Sequence, residues 1–306
     1  MTIAKTLKSE RLTAWHVVAA LVMAALGVAA TLDAWKDMVL IAYNDEEYSH
    51  IFIVPIVALW MVWVRRMRFR HCKPSGTIIG PIMVALGWLI GHYGFHHQHQ
   101  SLWHGGAVLI VLGCILSILG KNVVFRFFPA FAVLIFMIPV PGTIRQDIAQ
   151  PLQDWTANSA RTCLEILGVE TEVSGNVLSI NGVPVTIADA CNGMRMVFPL
   201  ILVSYAFSFG LPLRQSVRLL VLAASPLAAI VCNVIRTVPT IWLYGRVGER
   251  VDPVAREHAQ EIANTFHNYS GWAMLPIAFL LLLGIIKLLR WAMLPVTRYP
   301  LASQYA

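Results

Sequence analysis

Three ionisable side chains beside long apolar segments have the types that acyl transfer requires. Cys191, Arg236 and His267 each belong to or adjoin a different apolar segment. A thiolate is a strong nucleophile, an imidazole with a pKa of about 6.5 can accept and return a proton, and a guanidinium can stabilise an oxyanion. Because ionisable groups are costly within membrane helices, each is a candidate for function. Together they predict a catalytic site built on a cysteine nucleophile.

Polar neighbours accompany these residues at helical spacing. Arg195 follows Cys191 by four residues, so it either supports the thiol or pairs with Asp189. Asn233 precedes Arg236 by one helical turn and is predicted to orient the guanidinium or to contact the substrate backbone. The competing interpretation is structural, because membrane cysteines often pack as small apolar residues and buried charges often pair inside a bundle.

The composition indicates the elements that must position this site. Hydrophobic residues make up 58% of the 306 residues and charged residues only 13%, whereas soluble domains carry about 25% charged residues. A helix needs about 20 apolar residues to cross a bilayer. We therefore expect a single all-α polytopic membrane domain over residues 1–306, in which the net charge of +7 does not imply nucleic-acid binding. About eight transmembrane helices are predicted, at residues 14–32, 51–64, 77–95, 102–119, 123–140, 191–209, 217–244 and 271–289.

The charges predict the orientation of these helices. With both termini in the cytoplasm, the cytoplasmic segments hold 15 of the 23 basic residues, as the positive-inside rule requires. The chain is then a multi-pass protein of the plasma or inner membrane, with Cys191, Arg236 and His267 toward the extracytoplasmic face.

One hydrophilic segment, residues 141–190, is long enough to form structure of its own between the fifth and sixth spans. Its first part, Ile144 to Leu167, has the periodicity of a helix lying on the membrane surface. Its second part predicts two short strands joined near Asn181 and Gly182. We expect a small extracytoplasmic helix and hairpin that deliver the chain to Cys191.

Two side-chain groups leave further possibilities open. Histidines cluster near predicted span ends and suggest a metal hypothesis, but no carboxylate or cysteine accompanies them, so neither a metal nor a cofactor is predicted. The group comprises His50, His92, His96, His97, His99 and His104. Cys163 and Cys191 both face the oxidising side, yet a disulfide would silence the nucleophile, so both are expected to be free.

The order of these motifs resembles the exosortase/archaeosortase family of polytopic membrane cysteine transpeptidases. The sequence A-D-A-C-N-G-M-R at residues 188–195 is similar to the family's A-C-S-G-x-R motif, with Asn192 in place of Ser. Residues 233–236 match N-x-x-R, and His267 matches the later histidine. The segments 48–55 and 137–141 also resemble family segments, and the resemblance runs from about residue 45 to 290.

The resemblance implies that Cys191 is the nucleophile, His267 the general acid/base, and Arg236 the cation that stabilises the transition state or positions the substrate. It further implies cleavage of exported proteins at C-terminal sorting tails made of a short motif, a membrane helix and a basic cluster, as in PEP-CTERM proteins. The sorting motif, the acceptor (an amine or water) and the oligomeric state are not written in the sequence. Two other classes stay open: a transporter with a polar path, and a non-enzymatic component of a polysaccharide-export assembly.

Overall fold

A computed structural model describes residues 12–72, 77–169, 171–174, 177–180, 183–186, 194–248 and 252–291. Within these ranges, nothing is described of several side chains, among them those of Arg195 and His267. The chain divides into two compact units between Pro141 and Gly142. Helices make up most of the described chain, and a small sheet lies in the second unit.

The first unit is entirely helical in its described part. Its α-helices are α1 (Ala14–Ala30), α2 (Leu32–Asn44), α3 (Val54–Val64), α4 (Ile79–His96), α5 (Gln100–Leu119), α6 (Lys121–Arg126) and α7 (Phe128–Ala132). Short 3₁₀ helices cover Glu46–Phe52, Arg66–His71 and Val133–Met137. Pro139 and Pro141 follow the last of these segments, where missing amide donors discourage further helix.

The first predicted span bends sharply at its end. Helices α1 and α2 meet at Thr31 with an angle of 80° between them. The Thr31 hydroxyl donates to the Gly27 carbonyl at 2.8 Å and accepts from the Trp35 indole N–H at 3.0 Å. These hydrogen bonds satisfy polar groups at the break, which we call the Thr31 elbow.

Glycines allow α4 and α5 to pack at very short distance. A Cβ added to Gly87 would lie 2.8 Å from the Gly106 carbonyl oxygen, and one added to Gly113 would lie 2.8 Å from the Gly80 carbonyl oxygen. Gly80, Gly87 and Gly94 recur every seven residues, so they stay on one helix face. Small residues at such a face let two backbones approach closely, which is a common packing mode of membrane helices.

The predicted fifth span, residues 123–140, is not one helix. It is divided among α6, α7 and the 3₁₀ helix Val133–Met137, with breaks at Phe127 and after Ala132. Pro129 lies in the first turn of the second piece, where its ring and missing N–H are tolerated, unlike in a helix interior. A hydropathy window cannot detect such breaks, since it averages over the pieces.

The count of eight spans is not confirmed. In the described part of the chain, three segments are long and apolar enough to cross a membrane: Glu47–Val64, Gln100–Leu119 and Gln215–Tyr244. The number rises to five if two bent helix pairs each count as one span. Val197–Gly210 and Pro276–Leu288 are shorter apolar segments of the described chain. The all-α membrane class therefore stands, with three to five candidate spans among the described residues.

The second unit combines long helices with the small sheet. It contains α8 (Gly142–Ile166), β1 (Thr171–Ser174), β2 (Val177–Ile180), β3 (Val183–Thr186), α9 (Met194–Gly210), α10 (Gln215–Gly248) and α11 (Pro253–Trp291). The strands form an antiparallel meander in the order β1-β2-β3, with Ile180 opposite Val183. The hairpin predicted near residues 181 and 182 is confirmed as the β2–β3 pair, and β1 is an additional strand.

Helices α9, α10 and α11 share one apolar core. Its buried side chains include Leu200 of α9, Val221 and Cys232 of α10, and Leu282 of α11. Helix α10 tolerates Pro226 because the Leu222 carbonyl, which loses its usual amide donor there, accepts the Ser225 hydroxyl at 2.7 Å. This three-helix core is the frame on which the predicted N-x-x-R residues lie.

Candidate active site

The predicted Asn233 and Arg236 lie on a buried polar stripe of α10. Asn233, Arg236, Thr237 and Thr240 recur at three- and four-residue spacing, so they share a helix face, and all four are buried. The Thr237 hydroxyl donates to the Asn233 carbonyl at 2.6 Å, and the Thr240 hydroxyl donates to the Arg236 carbonyl at 2.7 Å. The threonines therefore satisfy their hydroxyls on their own helix, which leaves Asn233 and Arg236 to interact beyond it.

Asn233 is fixed by a residue that the sequence did not suggest. Its Nδ2 donates to the hydroxyl of Thr156 on α8 at 3.2 Å, and that hydroxyl donates to the Leu152 carbonyl at 2.7 Å. The Asn233 Oδ1 is buried and has no hydrogen-bond partner among the described residues. Since a buried amide oxygen without a partner is costly, this atom is a candidate for contacting a bound group.

Arg236 is the largest of the fully buried side chains, at 1% exposure. It lies within the apolar segment Gln215–Tyr244 that is long enough to cross a membrane. Arginine keeps its charge in proteins, so burying it at this depth requires polar partners and is hard to explain by packing alone. This burial agrees both with a catalytic role for Arg236 and with the structural interpretation of a charge paired inside a bundle.

The segment predicted as an extracytoplasmic insert packs against this part of α10. Ala157 and Leu164 of α8, Ile180 of β2 and Ile241 of α10 form one buried cluster. Of the apolar positions that the sequence assigns to this segment, Ala160 and Leu164 are buried, whereas Ile148, Trp155 and Leu167 are exposed. The rest of the buried face of α8 consists of small residues, Ala149, Thr156 and Ala157. These small residues at helical spacing are the sequence feature from which the burial of Thr156 could have been predicted.

Helix α11 brings the His267 backbone beside α10. The two helices are joined by a short connection, and the Tyr244 hydroxyl donates to the Asn264 side-chain oxygen at 2.6 Å. Taking the helices as antiparallel from this contact and a rise of about 1.5 Å per residue, the levels of Arg236 and His267 differ by only about 7 to 8 Å along the axis.

The side chains of the other predicted site residues are not described by the structure. Cys191, Asp189 and the variant position Asn192 lie outside the described residues. Arg195 lies in the first turn of α9, which begins at Met194, three residues after Cys191. For Arg195 and His267 only the helical backbone is described. The structure therefore brings together Asn233 and Arg236, and a side-chain geometry linking either of them to the predicted nucleophile stays a prediction.

In the first unit, segments that resemble the family contact one another. The Tyr48 hydroxyl donates to the Val140 carbonyl at 3.1 Å, and the Ser101 hydroxyl donates to the Pro139 carbonyl at 2.6 Å. At another place, Arg68 donates to the Arg126 carbonyl at 3.2 Å. Each of these contacts joins segments that the sequence assigns to the same side of the membrane. This grouping agrees with the predicted topology, whereas the orientation in the membrane stays a prediction.

The histidines considered for a metal make ring contacts and one ion pair. His92 stacks on Trp88 with ring centroids 5.2 Å apart, His97 contacts Tyr93, and His104 Nε2 lies 2.9 Å from the Asp37 carboxylate. Among the described residues, no group of three or more His, Cys, Asp or Glu side chains is placed to hold a metal ion. Cys72, Cys114, Cys163 and Cys232 are free thiols.

Comparison with known proteins identifies the family. Neither the curated proteins nor the solved structures give a match to this chain. The model of the transmembrane exosortase family (Exosortase_EpsH) matches residues 35–284, which include Cys191, Asn233, Arg236 and His267. Because the match covers most of the sequence, the chain belongs to the transmembrane exosortase family.

Proposed function

We propose that this chain is a cysteine transpeptidase that cleaves the C-terminal sorting tails of exported proteins through a thioester on Cys191. Membership of the exosortase family supports a membrane transpeptidase role in general. The observation that carries the more specific proposal is the buried pair of Asn233 and Arg236 on one face of α10, inside an apolar segment. A transporter or a scaffold would not require this pair together with a cysteine and a histidine in the family's order along the chain.

The proposed reaction begins with the Cys191 thiolate, which attacks the carbonyl carbon of the scissile peptide bond. The negative charge that develops on the carbonyl oxygen is stabilised by the Arg236 guanidinium. The C–N bond then breaks, His267 donates a proton to the departing amine of the tail, and a thioester forms on Cys191. An acceptor amine, or water, attacks the thioester carbonyl after His267 takes its proton, and the thiolate leaves.

Helix α9 offers a physical reason for a reactive thiol at Cys191. The helix begins at Met194, and the first turn of a helix has free N–H groups and the positive end of the helix dipole. Both favour a thiolate nearby and lower a cysteine pKa. Arg195, in that first turn, adds a positive charge on the same element. It is proposed as a supporting residue, with Asp189 as its alternative partner.

Asn233 is proposed to hold the substrate backbone. Its Nδ2 is engaged by Thr156, so its Oδ1 is the atom left to accept a hydrogen bond. A substrate peptide N–H adjacent to the scissile bond would satisfy that buried oxygen and align the carbonyl with Arg236. Such alignment contributes to catalysis because reacting atoms held in position need no further loss of freedom.

The substrate is proposed to dock as a membrane helix. A tail with a short recognition motif, a membrane helix and a basic cluster would follow the positive-inside rule if its basic end lies in the cytoplasm. Its motif would then reach the extracytoplasmic side, where Cys191, Arg236 and His267 are proposed to act. The departing tail would stay in the bilayer as a free helix.

The test is processing of a co-expressed protein that bears such a tail, followed by intact mass of the product. Wild type should remove the tail, and Cys191→Ala, Arg236→Ala and His267→Ala should not. Matched controls lie in the same unit: Cys163→Ala for the thiol, and Arg256→Ala and His258→Ala for the exposed basic side chains of α11. The product mass distinguishes an amine acceptor from water. Continued processing by Cys191→Ala at normal expression would refute the proposal.

A further inference from the structure

A cleft of about 250 Å³ lies in the first unit, and none of the residues that line it is used by the proposed function. It opens where the Thr31 elbow faces α4 and α5. Asp33 of the elbow, Trp88, His92 and Phe95 of α4, and Trp103 of α5 line it. The cleft therefore has aromatic walls and a carboxylate, a combination that the apolar composition of the unit does not require.

Glycines of two helices line part of this cleft, namely Gly87 and Gly91 of α4 and Gly106 of α5. Gly87 and Gly106 are required for the close helix contact, whereas a Cβ on Gly91 would meet Gly106 Cα only at 3.6 Å, an ordinary contact. The cleft therefore borders the close contact between the two helices.

The aromatic walls consist of two ring pairs. Trp88 and His92 stack with centroids 5.2 Å apart and ring planes within 10° of parallel. Phe95 and Trp103 contact at 5.4 Å with planes at 58°. The face of an aromatic ring, and of tryptophan above all, attracts a cation through its negative quadrupole. Such walls favour an organic cation over an anion.

The carboxylate in the cleft has its charge available. Asp37, one helical turn after Asp33 on α2, pairs with the buried His104 at 2.9 Å. Asp33 makes no ion pair in the described part of the first unit. A cation in the cleft would lie among the Asp33 carboxylate and the tryptophan rings that line it. The described residues provide no group of three metal-ligating side chains, which argues against a metal ion.

We propose that this cleft binds an ammonium group, supplied by the headgroup of phosphatidylethanolamine or by a small soluble amine. Asp33 provides the opposite charge in this interaction, and Trp88 and Trp103 provide aromatic rings. The headgroup is the first source to test, because exposed apolar residues of α1, α2 and α4 surround the elbow and such surfaces contact lipid in a membrane protein.

The first experiment measures lipid retention. The full-length protein, purified in detergent and supplied with equal amounts of phosphatidylethanolamine and phosphatidylglycerol, is examined by native mass spectrometry. Wild type should retain phosphatidylethanolamine in preference to phosphatidylglycerol. This preference should fall about tenfold in Asp33→Asn, whereas Asp33→Glu should keep most of it. Asp154→Asn, at an exposed position of α8, is the matched control and should leave retention unchanged. Thermal unfolding of each variant checks that Asp33→Asn is folded.

The second experiment separates the two sources. In bilayers of phosphatidylglycerol alone, ethanolamine is titrated while tryptophan fluorescence is followed, with Trp88→Phe to assign the signal and Trp15→Phe, on an exposed residue of α1, as control. A saturable change that Asp33→Asn abolishes, without lipid preference in the first experiment, identifies a soluble amine. Equal retention of both lipids together with no ethanolamine response would overturn the proposal.

Discussion

Thr156 and Asn233, 77 residues apart in the sequence, are joined by a buried hydrogen bond of 3.2 Å from the Asn233 amide to the Thr156 hydroxyl. The hydroxyl is itself directed by its bond to the Leu152 carbonyl. One end of the Asn233 amide is therefore fixed by α8, which determines where its Oδ1 points. In the proposed site, Thr156 is a positioning residue that acts through Asn233.

Replacing Thr156 by valine should weaken both stability and processing. Valine keeps the shape but leaves the Asn233 amide buried without its acceptor, which costs about 1–3 kcal/mol. Processing of the sorting tail should fall roughly tenfold, because a misaligned contact slows catalysis. Thr156→Ser retains the hydroxyl and should restore processing. If both variants process at the wild-type rate, Thr156 has no positioning role.

Arg236 should not tolerate lysine. A guanidinium offers a planar set of donors that a lysine ammonium cannot reproduce, so Arg236→Lys should keep the charge but lose about 10²- to 10³-fold in processing rate. The measurement is the initial rate of tail removal at equal protein level. Arg256→Lys, on the exposed face of α11, should process normally. Full activity of Arg236→Lys would show that positive charge alone suffices.

The close contact between α4 and α5 should reject side chains at Gly87 and Gly106. A Cβ at either position would lie within 2.8 Å of the facing carbonyl oxygen, so alanine forces backbones apart and should destabilise the first unit by about 1–3 kcal/mol. Gly284→Ala is the control, since nothing lies within 4 Å of its Cβ position. Thermal unfolding in detergent compares the variants. Equal melting of Gly87→Ala and wild type would contradict the packing argument.

Asp37 and His104 should be energetically coupled. His104 is fully buried, and its Nε2 contacts the partly exposed Asp37 carboxylate, so Asp37→Ala removes the partner of a buried ring. The expected loss is about 1–3 kcal/mol, reduced by solvent at the exposed end of the pair. A double-mutant cycle with His104→Phe measures the coupling. Additive effects of the two substitutions would show that the contact contributes nothing.

Cys72 should react slowly with thiol reagents. Burial raises the pKa of its thiol, an effect that the positive charge of Arg126 partly opposes, and its hydrogen is directed to the Arg68 carbonyl. At pH 7 to 8 a raised pKa reduces the thiolate fraction, so labelling should be slow and should accelerate toward alkaline pH. Peptide mapping after timed maleimide treatment measures this, with the half-buried Cys163 as an internal comparison. Rapid labelling of Cys72 at pH 7 would contradict it.

The sequence predicted the features that hydrophobicity and local spacing determine. The family, the helical class, the helix before the strands and the pairing of β2 with β3 were all predicted, since each depends on local periodicity or on motif order. Breaks within apolar stretches were not predicted. The fifth predicted span divides at Phe127 and Pro129, and the first bends at Thr31, because a window of hydropathy is blind to hydrogen bonds at a break.

The sequence predicted only those contacts of the site that lie within a single helix. Asn233 and Arg236 share a face of α10 by their spacing, and both are buried. Thr156 lies on the buried face of α8, on which the sequence indicated Ala160 and Leu164 but not Thr156, because a threonine does not stand out in a hydrophobic pattern. Contacts between segments that are distant in the sequence depend on how their surfaces fit together. Small residues in a sequence give little indication of that fit. The roles of Cys191 and His267 rest on chemistry and motif order.

The short α4–α5 connection also bears on the order of folding. The two helices are separated by only three residues, His97–His99, and their glycine faces meet along much of their length. Contacts between segments so close in sequence require little loop-closure entropy, and they form before contacts between distant segments. This helical hairpin can therefore assemble before α10 has been synthesised. It would give the emerging chain an early nucleus, onto which the remaining helices of the first unit condense.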